Sequence, residues 1–213
     1  MPFVECAQAR ANCASTSGPT RSLATRLWTA NQAPGTALLI AAGSALASQS
    51  GPAGRVESLG AFEDPALEQE LKEVLPEPLA TAAKPRMEWY GCRGAFFHND
   101  AHYDDVLFGV WSIAGPPRDL VFPRLDCRLP ARIGSIVVFD PFEPHAVLDA
   151  GAERYCRGDY EGAPANLFLG FEIALTPEVR DAFGIEPAHA LVPTLSSRIA
   201  INPETGALVT SGV

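Results

Sequence analysis

Short apolar runs separated by turn residues fill the second half of the chain. The runs are rich in Val, Ile, Phe and Trp, and Gly, Pro, Asp or Asn stand between them, which is typical of short β-strands. Because the 213 residues include 18 glycines and 19 prolines, many tight turns are expected. The predicted strands are 87–98, 106–113, 119–122, 135–139, 145–148 and 167–175.

Capping residues predict two helices. The first begins at Asp64–Pro65, because aspartate caps a helix N-terminus and proline fits its first turn, and it ends before Pro76. Its apolar face comprises Leu67, Leu71 and Val74. The second helix begins at Thr176–Pro177 and ends at Gly184, since glycine commonly follows the last helical residue.

The order of these elements predicts a mainly β fold. A run of strands that follows helices favours an all-β core, a sandwich or barrel, with a few flanking helices. Residues 1–60 are expected to form an N-terminal extension that is partly helical or disordered, with a buried strand or helix at 36–48. Residues 61–213 are expected to form the main domain, with its core at about 87–175 and a hairpin at 198–209.

Charge and cysteine content narrow the possible partners. The net charge is −9 and no cluster of Lys or Arg is present, so nucleic acid and anionic membranes are poor partners. Five cysteines without a CxxC motif favour reduced thiols and a cytoplasmic location. The apolar stretch 37–48 is too short to span a bilayer and lies too far from the N-terminus for a signal peptide.

Three of the four histidines lie in two short segments. His98 and Asp100 follow a predicted strand, and His145 follows another strand far downstream. Residues two apart in an extended segment point to the same side, so His98 and Asp100 can bind the same metal ion. Two histidines and one carboxylate form the facial triad that holds non-haem Fe(II) and leaves positions open.

A second His-x-Asp pair, His102 and Asp104, overlaps the first. The pair at 98 and 100 is preferred, because Phe96 and Phe97 provide a strand directly before it while 99–105 is polar and loop-like. His102, Asp104 and Asp105 would then face the substrate or lie in a polar loop.

Residues 96–148 resemble the core of the Fe(II)/2-oxoglutarate-dependent oxygenases, a double-stranded β-helix (jelly-roll or cupin-like) family with an H-x-D…H iron site. The likeness includes Gly134–Phe139, a strand that leads to Pro144-His145-Ala146-Val147, with Ser135 where the family usually has Asp. It covers roughly residues 87–175. It implies that His98, Asp100 and His145 bind iron, and that a carboxylate ligand such as Asp100 supports hydroxylation, since related halogenases carry a small residue there.

The resemblance also implies a cosubstrate site. Family members place an Arg or Lys about ten residues after the distal histidine, where it pairs with the far carboxylate of 2-oxoglutarate. Arg154 and Arg157 both qualify, because a guanidinium forms bidentate pairs with carboxylates, and Arg154 is the preferred candidate. Candidates for the substrate pocket are Trp89, Tyr90, His102, Trp111 and Arg124.

The expected function is therefore an Fe(II)/2-oxoglutarate-dependent dioxygenase that hydroxylates a small or amino-acid-like molecule with O2. Two alternatives remain open. A cupin-like metal dioxygenase would share the fold and the triad without using 2-oxoglutarate. A non-enzymatic β-sandwich binding module would make the cluster of His and Asp coincidental. The oligomeric state is not predicted.

Overall fold

The computed structural model describes residues 3–5, 12–13, 21–47, 53–100, 103, 105–187 and 201–207. The strands among them are β1 Phe3–Glu5, β2 Asn12–Cys13, β3 Arg21–Ser22, β4 Arg26–Asn31, β5 Val56–Glu63, β6 Ala83–Cys92, β7 Ala95–His98, β8 Val106–Ala114, β9 Arg118–Phe122, β10 Cys127–Ala131, β11 Ser135–Phe139, β12 His145–Asp149 and β13 Asn166–Ala174. The helices are α1 Thr36–Ala47, α2 Pro65–Val74, α3 Leu79–Ala82 and α4 Pro177–Phe183, with 3-10 turns at Pro123–Leu125 and Arg157–Tyr160.

Two antiparallel sheets form the core. The large sheet has the order β1-β4-β11-β8-β13-β6-β5 and the small sheet has the order β10-β9-β12-β7, while β2 and β3 pair separately. From β6 to β13 the chain contributes four strands to each sheet and passes repeatedly from one sheet to the other. This is a double-stranded β-helix, and the predicted mainly β jelly-roll class with a few helices is confirmed.

The large sheet buries both of its faces. Its outer face packs against the helices, where Trp28, Leu71, Trp111, Phe171 and Phe183 belong to one apolar cluster. Its inner face meets the small sheet in a second cluster, which combines Phe168 and Val137 with Leu120 and Val147. Alternate residues of a strand point to opposite faces, so each central strand serves both clusters.

The predicted strand 87–98 proves to be two strands. β6 ends at Cys92 in the large sheet, and β7 begins at Ala95 in the small sheet. Gly94 between them has a φ of +74°, and a Cβ there would collide with the ring of Tyr160. An apolar run alone does not show the corner at which the chain changes sheets.

The described part of the predicted N-terminal extension joins the large sheet. β4 pairs with β11, with Trp28 opposite Val138, and residues 36–47 form the helix α1, which packs against β8 and β13. Residues 26–31, which were expected to lie in a partly helical or disordered extension, form a strand in which Leu27 and Trp28 are buried. The division into two domains stays a prediction.

Both capped helices are confirmed. The Asp64 side chain accepts hydrogen bonds from the amides of Ala66 and Leu67 at the start of α2. Gly184 follows α4 in the left-handed conformation. The predicted hairpin at 198–209 is described over 201–207, where the amide of Asn202 donates to the carbonyl of Ala207. In the described residues, no helix combines the length and the apolar character needed to cross a membrane.

Substituting Gly109 with alanine should destabilise the fold by about 1–3 kcal/mol. Gly109 lies in the middle of β8, and a Cβ there would stand 2.1 Å from the ring of Phe171, which is buried. Gly43→Ala is the matched control, because a Cβ there meets nothing within 4 Å and alanine favours the helix α1 by roughly 0.5–1 kcal/mol. Urea unfolding of both variants measures the difference, and equal stabilities would contradict the packing described.

Candidate metal centre

Two neighbouring strands of the small sheet bring the predicted triad together. His98 is the last residue of β7, His145 is the first residue of β12, and the two are directly paired across the sheet. Asp100 lies two residues beyond β7, where its amide donates to the carbonyl of Pro141 at 2.8 Å. The backbone therefore fixes all three residues at one end of the sheet.

The three side chains have the spacing of a metal site. Their candidate ligand atoms all lie within 4.8 Å of one another. The Nε2 atom of His145 is 3.6 Å from Oδ2 of Asp100, and the Nε2 atom of His98 is 4.0 Å from Oδ1. The imidazole rings are 4.4 Å apart. One cation can therefore contact two nitrogens and a carboxylate oxygen after small movements of the side chains.

Backbone contacts set the tautomers of both histidines. Nδ1 of His98 lies 2.7 Å from the carbonyl of Phe96, and Nδ1 of His145 lies 2.8 Å from the carbonyl of Glu143. A carbonyl only accepts hydrogen bonds, so each Nδ1 carries the proton and each Nε2 keeps a lone pair for a metal. Burial, together with the nearby His98, lowers the pKa of His145 to about 4, so its ring is neutral at pH 7.

Buried ion pairs hold the loop between β11 and β12. Arg124 binds both carboxylate oxygens of Glu143 at 2.5–2.9 Å, and Arg21 binds Asp140 at 2.6 and 2.9 Å. The loop between these acids carries the carbonyl of Pro141 that fixes Asp100, and Glu143 supplies the carbonyl that orients His145. These contacts around the ligands pre-organise the site.

A cavity of about 240 Å³ runs from the triad into the space between the two sheets. Its polar lining beyond the triad consists of Ser58, Tyr90, Tyr103 and Ser112. The apolar lining residues are Val56, Phe108, Val110, Leu120, Ala131, Val137, Phe139, Val147 and Phe168. No lysine or arginine is among the described residues that line this cavity.

The structure places one of the predicted pocket aromatics at the cavity. Tyr90 lines it, and its hydroxyl forms a hydrogen bond with Tyr103; burial and this neighbour raise the pKa of Tyr90. Trp89 and Trp111 belong instead to the cluster under the helices. The prediction for both tryptophans is wrong because of strand parity: Trp89 adjoins Tyr90 and must point to the opposite face.

The other residues predicted for the site do not line the cavity or lie outside the described residues. Arg124 does not line the cavity, because its guanidinium is held by Glu143. His102 and Asp104 lie outside the described residues, so the second His-x-Asp pair stays a prediction. Asp105 is exposed and is not part of the ligand cluster found in the described residues.

Neither Arg154 nor Arg157 is brought to the triad. Both side chains are exposed, neither lines the cavity, and Arg157 lies 3.7 Å from Glu161. They belong to the external segment that precedes β13, and that strand begins only at Asn166. The role of cosubstrate anchor that was predicted for them therefore has no support in this geometry.

Sequence reasoning missed several lining residues that a period of two would have found. Phe108, Val110 and Ser112 alternate along β8 and all line the cavity. Ser58 comes from the edge strand β5, which the sequence pattern did not predict because most of its residues are exposed or half-buried. Tyr103 follows the His-x-Asp motif in a polar segment that carries no strand signal.

Comparisons with known proteins add little to this geometry. No protein-family model matches the sequence, and no curated protein matches it. A crystal structure of a Pseudomonas putida prolyl-4-hydroxylase is similar, with 13% sequence identity, a TM-score of 0.40, and coverage of 70% of this chain and 93% of that chain. At this TM-score the likeness carries no argument. The strand order and the ligand geometry of this chain themselves show a double-stranded β-helix with a His-x-Asp…His triad.

Proposed function

We propose that this protein is a mononuclear non-haem Fe(II) oxygenase that acts on a small molecule. The observation that carries the proposal is the triad of His98, Asp100 and His145 at the mouth of an apolar cavity. Two imidazoles and one carboxylate suit Fe(II) and leave several coordination positions open. Bound iron would supply the activation of O2, which protein side chains cannot perform.

The residues of the chain supply orientation and a dry environment. The carbonyls of Phe96 and Glu143 hold the two imidazole rings with their lone pairs toward the site. Phe108, Phe139 and Val147 would give the cavity beside it an apolar lining. Tyr90 and Tyr103 line the same cavity and are hydrogen-bonded to each other, which gives a bound substrate neutral hydrogen-bonding groups.

The proposal also concerns whether the enzyme uses 2-oxoglutarate as a cosubstrate. The sequence resemblance implies 2-oxoglutarate, whose second carboxylate needs a cationic partner when it is buried. The described lining of the cavity offers none. This observation favours the second candidate function, a cupin-like iron oxygenase that does not use 2-oxoglutarate. The net charge of −9 supports a small substrate over a nucleic acid for either candidate.

Metal analysis and cosubstrate turnover together test the function. We expect protein purified without oxygen to bind about one Fe(II) per chain. Iron-loaded protein supplied with ascorbate, O2 and 2-oxoglutarate should release succinate if the first candidate function is correct. Iron binding without release of succinate would favour the cupin-like oxygenase that does not use 2-oxoglutarate. Absence of tight iron binding would contradict both and favour a binding module without enzymatic activity.

A further inference from the structure

The described residues that line the cavity beyond the triad are all uncharged. At the level of His145, Phe139 pairs with Phe108. One layer deeper, Val137 pairs with Val110 and Val147 pairs with Leu120. Beyond them, Phe168 pairs with Ser112, whose hydroxyl is the polar group of this layer. These layers are formed by described residues, and none of their side chains is charged.

The buried cations nearby each lie beside a carboxylate. Arg21 pairs with Asp140, and Arg124 pairs with Glu143, both on the loop before β12. Arg118 is 2% exposed and lies two residues before Leu120 on β9. It pairs with Asp149, donates to Oδ1 of Asn166 at 3.1 Å, and lies over the ring of Tyr160. None of the three lines the cavity.

Among the described lining residues, a dicarboxylate would find no cation for its second carboxylate. The first carboxylate of 2-oxoglutarate would lie at the triad, and the second would lie among Val110, Val137 and Phe168. A carboxylate placed there without a cation loses its hydration and gains little in return. An apolar group in the same space would be stabilised by removal from water.

The net charge of the metal-loaded triad favours a carboxylate at the end of the ligand that lies against the metal. A divalent cation bound by two neutral histidines and one aspartate retains one positive charge, which a single carboxylate neutralises. The cavity has a volume of about 240 Å³. This volume is below the range of about 300–1,000 Å³ that is usual for drug-sized ligands, so the ligand is small.

We propose that the cavity binds a small monocarboxylate with an apolar tail, of the class of 2-oxo acids with a branched aliphatic or aromatic side chain, and discriminates against 2-oxoglutarate. The 2-oxocarboxylate end faces the triad and the tail occupies the space between the sheets. The inference rests on the proposed iron site, and it replaces the cosubstrate that the sequence resemblance implies.

A binding series with the full chain tests the proposal without any variant. Fe(II)-loaded protein is titrated without oxygen with 4-methyl-2-oxopentanoate, phenylpyruvate and 2-oxoglutarate, and binding is followed by calorimetry and by visible absorbance. We expect at least one of the apolar acids to bind ten times more tightly than 2-oxoglutarate. Equal or tighter binding of 2-oxoglutarate would overturn the proposal, as would failure of all three acids to bind to iron-loaded protein.

Two substitutions probe the wall directly. Val137→Phe fills the cavity and should weaken binding of the preferred apolar acid at least tenfold while the iron content is unchanged. Ile133→Phe is the control, because the Ile133 side chain is exposed and lies outside the cavity. Equal affinity of the apolar acid for the two variants would contradict the assigned location of the tail.

The failures of the two proposals are distinguishable. Protein that binds no iron would refute the proposed function before any acid is tested. Protein that binds iron and prefers 2-oxoglutarate would refute only the inference about the cavity. In that case loss of 2-oxoglutarate binding in Arg118→Gln, with iron retained, would show that Arg118 turns toward the cavity to act as the anchor.

Discussion

Replacing His145 with alanine should abolish stoichiometric Fe(II) binding while the protein stays folded. His145 supplies one of three candidate ligand atoms that lie within 4.8 Å of one another. Loss of a supporting residue around a metal typically costs 10–100-fold in affinity, so loss of a ligand itself should cost more than about 100-fold. Metal analysis after dialysis measures the iron, and circular dichroism confirms the fold. Asp100→Ala should behave in the same way.

His102→Ala is the control for the choice of ligand pair. It should keep its iron, because the favoured pair is His98 and Asp100. The opposite result, iron lost in His102→Ala and kept in His98→Ala, would move the site to the second His-x-Asp pair. Tight, stoichiometric iron in His145→Ala would refute the triad itself.

Local signals in the sequence were sufficient for the helices. The cap at Asp64 and the glycine at 184 act through hydrogen bonds and backbone conformations within a few residues, so their effects could be predicted without knowledge of the fold. The triad could be predicted from the sequence for a related reason. A His-x-Asp pair at a strand end and a histidine at the start of another strand need only one pairing, β7 with β12, to meet.

Predictions that depended on which face of a strand points inward were less secure. Trp89 and Tyr90 are neighbours of similar character, and only the packing of the large sheet between the helices and the small sheet shows that Tyr90 faces the cavity. The corner at Gly94 has the same origin, because the change from one sheet to the other is a tertiary event. A period of two gives the alternation of faces but not which face is the inner one.

The structure gives no support to the anchor role of Arg154 and Arg157, a prediction based only on their spacing from His145. The segment between β12 and β13 includes a 3-10 turn and is longer than a tight hairpin, so residues 154 and 157 remain outside the barrel. Beyond the triad, the described lining of the cavity is uncharged and includes Val147 and Phe168. A residue count does not show the path that a long loop takes. The prediction of an arginine that anchors 2-oxoglutarate depended on that path.

Arg21→Met should destabilise the protein by about 3–5 kcal/mol at neutral pH. The Arg21 and Asp140 side chains are 5% and 1% exposed, so the substitution leaves a buried carboxylate without its cation. Burial by itself raises the pKa of Asp140, but Arg21 and the amides of Ala24 and Phe142 together lower it. Urea unfolding at pH 7 measures the loss.

The pH dependence separates this effect from a packing defect. A carboxylate whose folded pKa is depressed stabilises the fold above its unfolded pKa of about 3.9, and this stability is lost as the pH falls through the folded value. The difference between wild type and Arg21→Met should therefore be largest near pH 7 and should shrink below about pH 4. Lys72→Met is the control, because the half-buried i,i+4 pair of Lys72 with Glu68 on the surface of α2 contributes only about 0.3–0.5 kcal/mol. A loss in Arg21→Met no larger than that of the control, or one that is constant with pH, would show that the buried pair does not hold the loop that carries the triad.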